Sequence, residues 1–152
     1  MPASSICKKQ KHKRSEAQIE AALERVRASM MAMHKSEELR EVIASVFEQL
    51  KGLGFDPSAS SIGIYNEDLS SEHWYAGFGH EVLPKSYKSP HCPHPYYLAE
   101  VEGWKKQLAF NELIFEGEAK VEYAKWMFKN SEFKNLPVEF KNEMLSPKRT
   151  YL

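Results

Sequence analysis

Ser60-Ser61-Ile62-Gly63-Ile64-Tyr65, then Asn66-Glu67-Asp68, then His73-Trp74-Tyr75-Ala76-Gly77-Phe78 is the passage that separates a mixed fold from an all-helical one. Ile62 and Ile64 alternate with small residues, which places them on one face of a strand. Asn66-Glu67-Asp68 has turn chemistry, and residues 73–78 form a second, aromatic-rich strand. Together they predict an antiparallel hairpin. Gly79-His80 turns into a short third strand around Glu81-Val82-Leu83, which Pro84 limits.

Upstream the period changes to that of a helix. Ile19, Leu23, Val26, Met30 and Met33 follow at spacings of four, three, four and three, flanked by Glu20, Arg27 and His34. This is a coiled-coil-like seam of about two heptads, short of the ~3–4 that define a coiled coil. It fits a homodimer helix, and it fits an amphipathic helix packed on its own domain. A second run, Leu39, Ile43, Val46, Leu50 and Leu53, is widened by Val42 and Phe47. The phase breaks between Met33 and Leu39, where Ser36 followed by Glu37 and Glu38 has the chemistry of an N-cap and acidic first turn. A continuous helix with a rotated face and a short kink both fit. Gly52 and Gly54 end the run.

Downstream, residues 88–95 hold three prolines and read as a loop. Pro95 opens a helix carrying Tyr97, Val101, Trp104 and Leu108. A short strand follows near residues 108–113. Glu116-Gly117-Glu118 leads into a helix with Tyr123, Trp126, Met127 and Phe128, and after Pro137 comes a last amphipathic segment, 138–145. The order of helix, strand meander and crossover helices is that of an α+β fold. The predicted organisation is a basic disordered tail over 1–14, a helix over 15–35 and a globular domain over 36–152.

The chain has 152 residues, 42% of them hydrophobic and 12% aromatic, enough for about one domain with a real core. Twenty-one basic residues balance twenty-one acidic ones, so no overall field favours nucleic acid or an acidic membrane. Lys8, Lys9, Lys11, Lys13 and Arg14 are the local exception. No stretch has the length or apolarity of a secretory signal or a membrane span. Cys7 and Cys92 stand far apart, which argues against a disulfide framework and for a reducing, cytoplasmic setting.

Catalytic motifs are absent: no P-loop, no G-x-G-x-x-G and no nucleophile elbow occurs, so the chain itself reads as non-enzymatic. His34 lacks the acidic neighbour and following proline of a phosphoacceptor histidine. His80, His91, Cys92 and His94 form the one cluster of metal-capable side chains, the basis of an alternative zinc-binding reading. Adjacent donors and the prolines at 90, 93 and 95 work against it. Paired carboxylates such as Glu100 and Glu102 are placed on polar helix faces. Tyr65, Trp74, Tyr75, Tyr97 and Trp104 come from segments that can face one another, and they suit either a pocket for a planar ligand or an ordinary core.

Residues 22–39, followed by Val46-Phe47-Glu48-Gln49-Leu50-Lys51-Gly52-Leu53-Gly54, resemble the opening of GAF-type sensor modules of bacterial sensor histidine kinases. Ile62-Gly63-Ile64-Tyr65-Asn66-Glu67-Asp68 with Trp74 resembles the first hairpin of those modules. Pro84 and the segment from Pro90-His91 to Pro95-Tyr96 resemble the loop and helix after it. The resemblance runs from Gln18 to the C-terminus. It implies a GAF-like antiparallel sheet with an N-terminal helix on one side and crossover helices on the other. It also implies a regulatory role in a two-component signalling protein, as a dimer paired through the N-terminal helix. The partner would be a kinase or another output domain outside this chain; the resemblance selects no ligand or cofactor. In such modules further strands follow the crossover helices, whereas residues 145–152 end the chain about where those strands begin. A truncated module with an incomplete sheet is therefore expected, with a pure interaction module as the ligand-free alternative.

Overall fold

The computed structural model describes residues 3–32, 35 and 38–151. The chain is α+β: the described residues form five α-helices, a three-stranded antiparallel sheet and a separate two-stranded sheet. It divides into two compact units, one of residues 1–62 and 74–84, the other of residues 63–73 and 85–152. Strands β1 (Ala59–Tyr65) and β2 (Ser71–Gly77) contribute residues to both. No helix among the described residues is long and apolar enough to cross a membrane.

The first unit is built on a helical hairpin, α1 (Ala3–Met31) and α2 (Leu39–Gly52). The phase break is thus a separation into two helices that fold back on each other, so that Arg25 Nη1 donates to Gln49 Oε1 at 2.9 Å. Met33, His34, Ser36 and Glu37, and with them the expected cap and the last seam residue, lie outside the described residues. Helix α1 begins at Ala3, within the stretch 1–14 expected as a basic disordered tail. After Pro2 that segment has no proline or glycine, and its lysines, arginine and glutamine are good helix formers. Extending an existing helix also avoids the cost of nucleation.

In α2 the buried residues are Leu39, Val42, Ile43 and Phe47. The face is therefore centred on the residues that widened the expected stripe, and Val46 and Leu50 lie at its margin. The helix closes as its glycines predict. Gly54 takes φ 86°, the Gly54 N–H reaches the Lys51 carbonyl at 2.9 Å, and the Phe55 N–H reaches Leu50 at 3.0 Å. Trp74, Ala76 and Leu83 complete the core of this unit.

The hairpin β1–β2 forms where expected, and the third strand does not. Phe78 and Gly79, at φ 49° and 83°, make a tight turn with one bridge, Gly77 to His80. The Leu83 N–H still reaches the Tyr75 carbonyl at 2.9 Å. Pro84 has no N–H to continue a ladder. Pairing with β2 resumes beyond it as β3 (Tyr87–Ser89), in register Ser71 to Ser89, Glu72 to Lys88 and His73 to Tyr87. Residues 88 and 89, expected within the proline-rich loop, thus belong to this strand. Gly77 at φ 130° is required twice over, because a Cβ there would lie 2.4 Å from the Ser58 carbonyl oxygen.

The second unit stacks three helices around aromatic residues. Helix α3 (Pro95–Lys105) starts with Pro95 in its first turn, capped by His94, whose Nδ1 accepts from the Tyr96 N–H at 3.3 Å. Tyr97, Val101 and Gly103 are its buried residues, while Trp104 is 45% exposed and Leu108 lies beyond the helix. No strand forms over the expected 108–113; the short strand β4 (Ile114–Phe115) follows instead and pairs antiparallel with β5 (Thr150–Tyr151). Helix α4 (Gly117–Asn130) buries Tyr123, Ala124 and Met127, and α5 (Val138–Leu145) buries Phe140. A 3-10 turn, Glu132–Asn135, joins them and buries Phe133 beside the His73 ring, 5.5 Å between centroids.

Candidate functional site

Of the five aromatic residues expected to line a pocket, the second unit gathers three. Tyr65 ends β1, and Tyr97 and Trp104 project from α3. The Tyr65 ring lies 6.0 Å from that of Tyr97, edge-on, and 5.4 Å from that of Trp104. Trp74 and Tyr75 belong to the first unit. There Trp74 is buried, and its Nε1–H has no hydrogen-bond partner among the described residues. Such a group costs about 1–3 kcal/mol.

A carboxylate sits among the three gathered rings. Tyr65 Oη donates to Glu100 Oε2 at 3.1 Å. Burial pushes the Glu100 carboxyl up to about 7, against the opposing pull of the Tyr65 hydrogen bond. Burial, with the nearby Glu100 charge second, raises Tyr65 above its ordinary value. Tyr97 is anchored separately, its hydroxyl donating to the Leu69 carbonyl at 2.6 Å. Glu100 therefore departs from the polar face assigned to it, whereas Glu102 keeps to one, paired with Lys106 at 2.9 Å. Spacing carried the missed signal. Glu100 stands three residues after Tyr97 and four before Trp104, on the same side of a helix. The cluster is a carboxyl able to change charge near neutral pH beneath a half-exposed aromatic ledge.

A second feature of this unit went unforeseen. An open groove of about 700 Å³ runs between the start of β2, strand β3 and the end of α4. Ser71, Ser89 and Ser131 line it as buried hydroxyls. Exposed Lys88, Lys129 and Lys134 stand around it, with Glu72 and Glu132. Two of its walls are joined by the Lys88 N–H, which donates to Glu132 Oε2 at 2.9 Å and covers the outer edge of β3. The lining comes from segments some sixty positions apart, all of ordinary polar composition, so no local pattern announces it.

The metal-capable residues are not gathered. Among the described residues no three His, Cys, Asp or Glu side chains are placed to hold a metal ion. His94 serves as the cap of α3, and Cys92 is a buried free thiol that burial pushes up. In the expected dimer helix, Ile19 and Leu23 are each 45% exposed and Met30 is 54% exposed. Val26 is half-buried, and Ala22 beside them is buried. Arg27 on the flank of this stripe pairs with Glu20 at 3.0 Å and Glu24 at 3.4 Å.

No protein-family model, no curated protein and no solved structure matches the chain.

Proposed function

We propose that the chain is a GAF-like regulatory module of a signal-transduction protein, non-catalytic and cytoplasmic. In this reading a second copy pairs along α1, and a small ligand biases that pairing for a kinase or similar output domain outside the chain. The observation that carries the reading is the stripe Ile19, Leu23 and Met30. It keeps heptad phase and remains half-exposed, although the adjoining Ala22 is buried within its own unit. A helix serving its own core alone would turn those three inward.

Magnitudes set the kind of dimer to expect. Covering the exposed half of a Leu- or Met-sized side chain is worth roughly 1 kcal/mol. Three from each copy then offset only part of the ~4–15 kcal/mol lost as association entropy. The pair is weak and concentration-dependent, which suits a regulated contact, because a ligand shifts it through a modest difference in affinity for the two states. Sedimentation equilibrium is the test. A reversible dimer that Leu23→Glu abolishes is expected, and a strict monomer up to about millimolar concentration overturns the reading.

A further inference from the structure

The groove of the second unit has a chemistry of its own. Its volume lies within the ~300–1,000 Å³ typical of small-molecule sites. Its lining differs from the usual apolar one: of twelve residues, Pro90 alone is apolar and none is aromatic. A planar ring would find no surface to stack on. Ligand affinity there has to come from hydrogen bonds and charge.

Three lysines against two carboxylates, Glu72 and Glu132, leave the lining with a small positive excess that favours an anion. Lys88, Lys129 and Lys134 take part in no ion pair among the described residues, although other basic side chains of the unit, Lys106, Lys120 and Arg149, do. The C-terminal end of α4 opens on the groove and would repel an anion through its unsatisfied carbonyls. Two carbonyls of its last turns are bonded by side chains. Asn130 Nδ2 donates to the Trp126 carbonyl at 2.8 Å, and Ser131 Oγ donates to that of Met127 at 2.6 Å. Two residues that line the groove thus occupy part of that repulsive end.

The remaining groups select for hydroxyls. Ser89 Oγ spends its proton on the Pro90 carbonyl and so meets a ligand as an acceptor; Ser131 Oγ spends its proton on Met127 and already accepts from the Phe133 N–H at 3.2 Å, which leaves it one lone pair. Glu72 adds a carboxylate without an ion-pair partner among the described residues. A bare anion uses none of these acceptors, whereas a hydroxylated anion satisfies them.

We propose that the groove binds a phosphorylated polyol, its phosphate held by Lys88, Lys129 and Lys134 and its hydroxyls by Glu72 and the buried serines. This supplies a ligand class for the regulatory reading and rests on that reading for its consequence, while the binding is measured independently. Inositol monophosphate, inositol and inorganic phosphate are titrated separately against the whole protein at fixed ionic strength, followed by amide NMR. Saturable shifts at Ser89 and Ser131 with inositol monophosphate are expected, weakened about tenfold by K129Q/K134Q and restored by the arginine pair. The lysines are exposed, so the variants keep the fold. Absence of saturation, or an affinity that the variants leave unchanged, overturns the site. Inorganic phosphate binding as tightly as inositol monophosphate overturns the polyol assignment. Saturable binding without any change in the dimer equilibrium leaves the site standing and overturns the regulatory reading.

Discussion

Glu100 and His73 pull the pH dependence of stability in opposite directions. Burial holds the His73 imidazole down to about 4, so between about 4 and 6.5 the unfolded chain binds the proton more readily. Stability from this residue is present above the unfolded value and is lost as pH falls through that window. Burial raises the Glu100 carboxyl to about 7, so there the folded chain holds the proton more tightly. That contribution is complete below the ordinary glutamate value and disappears as pH rises through about 7. Glu100→Gln keeps the acceptor for Tyr65 and removes the titration. The melting temperature of the variant relative to wild type should climb by roughly 5 °C between about pH 5 and pH 8. An offset that does not vary with pH would sink the assignment. Sequence spacing held enough to place Glu100 beside Tyr97 and Trp104, but desolvation depends on Tyr65 arriving from another element.

Helix periods and proline positions carried most of the element-level information. Pro95, Gly54 and the run 138–145 begin or end helices as their chemistry dictates, because each acts within one turn of its own chain. Strand β3 was misplaced because register is a long-range choice, made by whichever segment past Pro84 can meet Ser71, Glu72 and His73. Strand β5 was missed for a related reason: its pairing with β4 is supported by one buried lysine. Lys120 in α4 is 4% exposed, and its three N–H groups reach Glu143 of α5 at 3.2 Å, the Lys148 carbonyl at 3.1 Å and Thr150 Oγ1 at 2.7 Å. The same Glu143 oxygen accepts from Thr150 at 2.7 Å. Burial works against the Glu143 charge, yet the hydrogen bonds from Thr150 and Lys120 hold its carboxyl below the ordinary range. Lys120→Met should cost roughly 2–3 kcal/mol, less than for a fully buried pair because Glu143 is partly exposed. Urea denaturation measures this, and a loss below about 0.5 kcal/mol would show that water replaces the lysine.

At the scale of the molecule, the α+β class was legible from the hairpin alone, since one strand–turn–strand passage between helical runs leaves few other architectures. The division into two units was not. Residues 59–65 and 71–77 read as one hairpin, yet each strand gives residues to both units, and local alternation cannot show where the contacts of one core stop. The groove was hidden by the same limit, as its lining joins residues 66–72, 88–90 and 129–134. The tryptophans turn this division into something that can be watched. Trp74 is the one tryptophan of the first unit and is buried, with Trp104 and Trp126 both in the second. With Trp104 and Trp126 replaced by phenylalanine, the remaining emission should be blue-shifted in the native state and should redden when the first unit opens. Circular dichroism follows the whole chain, so coincident transitions would mean that the two units melt as one cooperative body. An earlier fluorescence change would give the protein a native optical gauge of its helical hairpin, readable during ligand titration without any added label.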